Sequence, residues 1–471
     1  MINRRIKIPR NSELNKETID YILDEHRSEK ARIDKLEKYY NNEADIFNRQ
    51  YENDGKPHNK IAAPYSNYIT TMAVGYFLGK QITYKGEDEV LLEKLNDIFK
   101  YNDEHDHNTT LAKRAARGGY AVELLYIDED TNPRFRAFGG NEVAIVYDDT
   151  IEDNILYAIR YWKEKVVNTN KTITKCEIYT GPTLNDKGEI IETGKIMYGT
   201  IKQDSFVIDE SKTREHFFKD VPVAVYINND ELYGDFEKVM SLIDEYNKVQ
   251  SDTANDFEYF TNAMLVISGY VVDDEASKAL KDMHIINFQD NTGDAKYLIK
   301  DIQDTALENY KNRLDNDIHK FSLVPSLSDE QFAGNVSGEA MKYKLMGIDN
   351  LTSVKESKFR KGLMRRIELI CNYLRTTDSS LQFDFIDIEP VFTRNRPVNE
   401  LEIAQMMQTL TGILSEETII GMFPSISDPQ AELKKKQDEN ESVFEQPYEM
   451  QQDEMQQEKP AEVGEEDGTE Q

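Results

Sequence analysis

Cysteine is scarce in this chain of 471 residues. Cys176 and Cys371 are far apart in sequence, which argues against a disulfide framework and suits a reducing cytoplasm. Long apolar runs are missing too. No uninterrupted stretch approaches the ~20 residues that a membrane-spanning helix needs, so no membrane contact is expected. The residues Met1-Ile2-Asn3-Arg4-Arg5-Ile6-Lys7 carry positive charge with no apolar run behind them, and no secretory signal is expected there. Positive charge is in deficit overall, with 57 Lys and Arg against 88 Asp and Glu and a net charge of −31. Phosphate affinity comes from Lys and Arg, so the general surface should not hold DNA, and any nucleic-acid contact must be local or weak. An acidic wall lets a duplex slide where a basic one grips it; the plainer account of the acidity is solubility.

Catalytic motifs are equally sparse. Gly75-Tyr76-Phe77-Leu78-Gly79-Lys80-Gln81 has three residues between its glycines where a phosphate loop has four, and Gln81 stands where a magnesium-binding Ser or Thr is needed. In Glu104-His105-Asp106-His107 the two histidines point to different faces of a helix, so the stretch reads as a solvated helix start. Asp128-Glu129-Asp130 and Asp148-Asp149 fall at strand ends, where turn solvation is the ordinary role of Asp. The seven histidines are scattered, no pair has zinc-site spacing on a helix, and no nucleophile elbow occurs. No catalytic residue, metal or cofactor is expected.

What is present is an α+β pattern. Residues 12–52 read as a polar helical stretch with an intermittent apolar face, broken at Gly55-Lys56-Pro57. Ser66 to Leu78 is apolar and aromatic all round, a buried helix, and Gln81–Tyr84 reads as a short strand. One or two helices span 88–116. After Gly118-Gly119 come strands at Tyr120–Ile127, Phe135–Phe138, Val143–Tyr147, Ile155–Trp162, Thr172–Tyr179, Ile196–Ile201 and Ser205–Ile208. Their alternation predicts an antiparallel, partly solvated sheet, and Val221–Tyr226 adds an apolar strand. From Gly234, a helix of about 30 residues has Phe236, Val239, Ile243, Tyr246 and Phe257 on one face. Its polar side is mainly acidic: Glu237, Asp244, Glu245, Asp252, Asp256 and Glu258. A small α/β insert follows, with strand Leu265–Ile267, helix Asp274–Lys281 and strands Ile285–Phe288 and Ala295–Ile299.

The chain turns on residues 301–376. Thr305 followed three residues later by Glu308 is a reciprocal capping signature. Leu307, Tyr310, Leu314, Ile318 and Phe321 then make an apolar stripe, and Pro325 ends the helix. The loop Ser326-Leu327-Ser328-Asp329-Glu330-Gln331-Phe332-Ala333-Gly334-Asn335-Val336 is acidic and apolar, without Lys or Arg. Ser337 is a candidate N-cap, with Glu339 in the first turn, for a helix from Gly338 to about Leu374, near 55 Å at ~1.5 Å per residue. That helix is locally basic: Lys342, Lys344, Lys355, Lys358, Arg360, Lys361, Arg365, Arg366 and Arg375 stand against Glu339, Asp349, Glu356 and Glu368. Such a length suits an assembly in which helices lean on copies of themselves. Downstream, Phe383–Phe392 reads as a strand pair or extended strand, three helices start near Asn399, Ser415 and Asp428, and the composition from about Gln437 predicts disorder.

Gly334-Asn335-Val336-Ser337-Gly338-Glu339-Ala340-Met341-Lys342, with Leu345 and Gly347, resembles the segment after the tunnel loop in portal proteins of tailed double-stranded-DNA bacteriophages of siphovirus type. The likeness covers roughly residues 57–436. Asn59-Lys60, Gly79-Lys80, the stretch Leu232-Tyr233-Gly234-Asp235 through Asn262-Ala263-Met264-Leu265-Val266, Pro397-Val398-Asn399-Glu400, Leu414-Ser415-Glu416-Glu417-Thr418 and Asp428-Pro429 are similar to that family in the same order.

The resemblance implies a portal-type subunit. Residues 1–56 would be an N-terminal helical arm, 57–230 a wing of mostly antiparallel strands, 231–265 a first stem helix, 266–300 a clip and 301–325 a second stem helix. Residues 326–337 would be the tunnel loop, 338–395 a long basic helix with a wing return strand, 396–436 a helical crown and 437–471 a disordered acidic tail. It implies a non-enzymatic homo-oligomer, a dodecameric ring at one capsid vertex of the virion, assembled in the host bacterial cytoplasm. Double-stranded DNA would pass through it in packaging and ejection. Its implied partners are the terminase large subunit and head-completion or adaptor proteins at the clip, and the major capsid and scaffolding proteins. The loop Ser326–Val336 would touch the moving duplex. Lys342 and Lys344, just behind it, either supply positive charge near DNA or pair with acids of a neighbouring subunit. The competing classes are a non-viral scaffold and a nucleic-acid-processing enzyme, and rings with an axial hole separate the first reading from both.

Overall fold

The computed structural model describes residues 5–10, 12–51, 57–166, 172–184, 189–202, 205–261, 264–268, 294–298, 304–327, 338–378, 384–396, 400–423, 426 and 429–444. The chain divides into two compact units, Met1–Asn395 and Arg396–Gln471.

In the first unit, β1 (Ile6–Ile8) leads into α1 (Lys16–Tyr40). Asn15 caps α1, its side chain accepting from Thr18 N at 2.9 Å. The helix stops at Asn41, and Asn42 turns the chain with φ 63°, so the expected continuation to residue 52 is replaced by a 3-10 turn, Asp45–Asn48. α2 (Tyr65–Leu78) is largely buried, as its composition predicts, with Thr71 and Gly75 on a narrow exposed edge. β2 (Thr83–Lys85), α3 (Glu89–Tyr101) and α4 (Glu104–Gly118) follow. Gly119 ends α4 at φ 93°, and a Cβ there would lie 1.9 Å from Leu232 O. Both the backbone conformation and the space demand glycine.

The next strands are β3 (Tyr120–Ile127), β4 (Pro133–Gly139), β5 (Val143–Asp148), β6 (Ile155–Lys165), β7 (Thr172–Thr180), β8 (Thr183–Leu184), β9 (Ile190–Glu192), β10 (Gly194–Ile201), β11 (Phe206–His216) and β12 (Val223–Ile227). They build a six-stranded sheet in the order β1-β5-β6-β7-β10-β11 and a three-stranded sheet β12-β3-β4. The large sheet is antiparallel except where β1 lies parallel to β5. That edge strand lies in what the sequence reads as a helical arm. Ile6 and Ile8 are buried, while Arg5 and Lys7 both pair with Asp153 in the β5–β6 turn. β11 continues past its expected end at Ile208, because its second half is a charged edge strand with no apolar alternation to reveal it.

Period-two burial sorts the strands into layers. Tyr120, Val122 and Leu124 of β3 meet Val143, Ile145, Ala158 and Tyr179 between the two sheets. Ala121 and Leu125 face the helices on the other side. α1 closes the outer face of the large sheet, with Ile19 and Ile22 against Val146, Ile159 and Ile178.

A 3-10 turn, Glu237–Val239, precedes α5 (Met240–Thr261). The extended segment before α2 is zipped along α5. Asn255 Oδ1, Ser251 Oγ and Asn247 Oδ1 accept from the backbone N–H groups of Asn59, Ile61 and Ala63 at 2.6, 2.9 and 2.8 Å. Two residues of extended chain advance nearly as far as four residues of helix, so every second N–H finds the next polar side chain. β13 (Met264–Ser268) and β14 (Asp294–Leu298) pair antiparallel; the expected insert helix Asp274–Lys281 and strand Ile285–Phe288 lie outside the described residues.

α6 (Asp304–Ser322) and α7 (Gly338–Thr377) match the expected pair of helices, and α7 has 40 residues. Ile348, Thr352, Lys355, Phe359, Leu363, Arg366 and Ile370 are buried along one stripe of α7. The helix leans on its own subunit along this stripe. Gly362 permits the crossing, since a Cβ would come within 2.6 Å of the Tyr226 ring. Of the expected strand pair or extended strand Phe383–Phe392, Phe383 lies outside the described residues and the strand is confined to its second half. Asp384 caps a 3-10 turn, Phe385–Asp387, and β15 (Glu389–Val391) pairs with β2. In the second unit are α8 (Glu400–Leu410), α9 (Glu416–Gly421) and α10 (Pro429–Phe444). Ser415 caps α9 as expected, accepting from Thr418 N. α10 runs to Phe444, beyond Gln437, where disorder was expected.

Candidate functional site

Of the loop singled out in the sequence, Ser326 and Leu327 are described, and Ser328, Asp329, Glu330, Gln331, Phe332, Ala333, Gly334, Asn335 and Val336 lie outside the described residues. The root of the loop is firmly bonded. After α6, Leu323 takes φ 61°, and Tyr68 on α2 donates to Pro325 O at 2.9 Å and accepts from Leu327 N at 3.1 Å. On α6, His319 Nδ1 is 3.0 Å from Val324 O and Nε2 is 3.5 Å from Asp315 Oδ1. Beyond the loop, Lys342 is exposed and Lys344 half-buried on the first turns of α7.

The basic charge of α7 is largely answered inside the chain. Lys355 Nζ bonds Asp235 at 2.6 Å and Asn228 at 2.7 Å; Lys358 pairs with Asp230, Arg360 with Glu356, and Arg365 with Asp220 and Glu368. The acids of α5 are engaged likewise. Tyr39 donates to Asp244, and Arg49 pairs with Asp252, as Arg32 does with Glu237 just before the helix. These residues hold the subunit together and are not a stock of free charge.

The deepest polar group was misread from sequence. Glu104 and His107 are not at a solvated helix start; Glu104 is buried, and only Asp106 in that motif is fully exposed. Arg366, wholly buried on α7, donates through Nε to both Glu123 oxygens at 3.0 Å, through Nη1 to Glu104 Oε1 at 3.0 Å and through Nη2 to Asn108 Oδ1 at 2.8 Å. His107 Nε2 donates to Glu123 Oε1 at 2.6 Å, and Tyr226 OH donates to Glu123 Oε2 at 2.9 Å. The guanidinium lies 4.5 Å from the Phe135 ring centroid. Burial pushes the Glu123 carboxyl up, but the Arg366 charge and the His107 bond outweigh it and hold the group at about 2. Its charges answer one another inside the subunit, and the cluster is a structural keystone. Among the described residues, no group of three or more His, Cys, Asp or Glu is placed to hold a metal ion, and no helix is long and apolar enough to cross a membrane.

The exposed side of α7 differs from its buried stripe. Tyr343, Met346 and Val354 lie on one side of the helix and are 71, 56 and 46% exposed. Leu323 packs beside Gly347 on the same helix. Phe321, Leu323 and Leu327, at the end of α6 and in the turn after it, are exposed as well. In the sequence this stripe is hidden among the lysines of α7.

Comparison with known proteins gives this arrangement a family. A model described as phage portal protein, SPP1 Gp6-like, matches residues 19–446. The chain is 26% identical over 447 residues to the portal protein of Bacillus phage SPP1, covering 89% of this chain and 86% of that one. It is 24% identical over 438 residues to the portal protein of Clostridium phage phiCD119, covering 88% and 93%. A solved structure, the neck of a native GTA particle computed with C12 symmetry, matches at 9% identity and a TM-score of 0.44, covering 77% of this chain and 89% of that one. This chain belongs to the SPP1 Gp6-like family of phage portal proteins. Its function is that of a phage portal, a structural component of the virion.

Proposed function

We propose that copies of this chain close into a dodecameric ring at one capsid vertex, and that double-stranded DNA passes along its axis in packaging and ejection. In this reading α5 and α6 are the stem, residues 266–300 the clip that docks the terminase large subunit and head-completion proteins, and 396–436 the crown. The ring assembles in the host cytoplasm with the major capsid and scaffolding proteins, and it is a conduit with no enzymatic activity of its own. The observation that carries the reading is the exposed apolar side of α7, Tyr343, Met346 and Val354, continuous with Leu323. A lone subunit gains nothing from such a surface, whereas a heterologous interface repeated around a closed ring covers it in every copy.

Negative-stain electron microscopy of the purified protein is expected to show annuli with an axial hole. Tyr343→Asp with Met346→Asp is expected to leave folded monomers with unchanged circular dichroism and no annuli; rings of normal yield would refute the interface. The loop Ser326–Val336, free of Lys and Arg, suits a sliding contact. Lys342→Glu with Lys344→Glu is expected to lower packaged DNA while rings still form. Loss of the rings themselves would assign the two lysines to acids of the neighbouring subunit instead.

A further inference from the structure

The foot of the loop carries a histidine whose two ring nitrogens both face acceptors. Nδ1 of His319 lies 3.0 Å from Val324 O. A carbonyl oxygen only accepts, so that nitrogen carries a proton. Nε2 lies 3.5 Å from the Asp315 carboxylate, one helical turn back, and only a second proton makes that approach attractive. Asp315 Oδ1 also accepts from Tyr65 OH at 2.5 Å, which ties α6 to α2. The rings of Tyr65 and Tyr68 stand edge-on to the imidazole at 6.0 and 5.5 Å, and Tyr246 of α5 packs edge-on against Tyr65. Asp315, Tyr65, Tyr68 and Tyr246 are the titratable groups set around the imidazole from α6, α2 and α5.

We infer that His319 is a protonation-linked positioning residue: as the cation it clamps the Leu323–Leu327 turn to α2 by bridging Val324 O to Asp315, which accepts from Tyr65 OH, and loss of one proton opens that clamp at Asp315. Neutral imidazole keeps its Nδ1 proton on Val324 O and turns a lone pair toward Asp315, so attraction becomes repulsion. The Val324 bond keeps the turn on α6, and Tyr68, bonded to Pro325 O and Leu327 N, then ties it to α2 without the His319–Asp315–Tyr65 bridge. Burial by itself would lower the histidine's pKa, but the Asp315 carboxylate and the Val324 carbonyl outweigh it and raise it. A raised folded value means the clamp is complete below the ordinary value of about 6.5 and is lost as pH rises through the higher folded value. The consequence for DNA passage rests on the channel reading; the clamp itself does not.

Hydrogen–deuterium exchange of the full chain tests this, with protection of residues 316–327 corrected for intrinsic exchange and followed from pH 5.5 to 8.5. Protection in the wild type is expected to fall across that range as the second proton is lost. His319→Gln, with one donor and no titration, is expected to be flat and weakly protected at every pH. Asp315→Asn is expected to flatten the profile while the protein remains folded, and serves if His319→Gln does not fold. A flat wild-type profile, or an Asp315→Asn profile that titrates like the wild type, overturns the inference even if rings form and package DNA. Failure of ring formation with the titration intact overturns the channel reading alone.

Discussion

Arg366→Met is expected to cost about 3–5 kcal/mol, because removing one partner of a buried ion cluster leaves charge without compensation. Glu104 and Glu123 are both buried and both answer to this one guanidinium. The wild-type cluster has a defined acid limit. Glu123 titrates at about 2 in the fold against roughly 4.3 unfolded. Its stabilisation is therefore full above the unfolded value and drains away as pH falls toward 2. In Arg366→Met the main cause of the depression is gone, burial dominates, and Glu123 is held protonated well above its ordinary range. Urea unfolding followed by circular dichroism should show a much lower midpoint for the variant at pH 7. Between pH 6 and 4 the gap should narrow, because the cost of keeping Glu123 protonated in the folded variant shrinks as pH nears the unfolded value, while the wild type keeps its stabilisation until pH falls below that value. The triple variant Arg366→Met, Glu104→Gln, Glu123→Gln should recover part of the loss. A midpoint at pH 7 equal to that of the wild type would show that the cluster contributes nothing to stability.

Why this cluster escaped a reading of the sequence is instructive. The partners of Arg366 lie 262 and 243 residues away, and periodicity sees only neighbours. One local signal was present. Arg366 sits between Leu363 and Ile370 on the stripe of α7 that also holds Phe359, and Lys355 continues the same stripe toward Ile348. Two cations on an apolar seam point to buried partners, but counted with Lys342 and Lys361 they read as a basic face. The long helices were legible because each is a local pattern with a cap: α7 was expected to start at Gly338 and does. β3 through β7 and β10 were legible by alternation. β1, β8, β9 and the second half of β11 were not, since two or three residues or a charged edge give no period to detect. The polar zipper on α5 was hidden for another reason. Asn247, Ser251 and Asn255 recur at helical spacing, yet their acceptors serve a backbone that carries no sequence signature of its own.

Lys355→Met is expected to be nearly as costly as the loss of Arg366, again about 3–5 kcal/mol by the same uncompensated-charge argument. Its ammonium and the Asp235 carboxylate are 5 and 1% exposed. Asp235 sits in a knot: its backbone N–H donates to Ala116 O at 2.7 Å, its side chain accepts from Asn228 Nδ2 at 2.8 Å, and Asn228 N donates to Gly119 O at 2.9 Å. The end of α4, the end of β12, the turn before α5 and the middle of α7 therefore converge on one ammonium group. Cutting it should not melt the sheets evenly. Hydrogen exchange should accelerate first in residues 227–239 and 350–360, while β5 to β7, held by their own ladders and by α1, stay protected. Lys355→Met combined with Asp235→Asn removes both charges and should restore much of the protection. Lys355→Arg should not, because a planar guanidinium cannot occupy the place of a compact ammonium bonded to both Asn228 and Asp235. Uniform acceleration across the sheets would mean that α7 and the sheet core unfold as one cooperative body. Local acceleration would make this ion pair the joint through which a load on α5 and α6 reaches the β-layers.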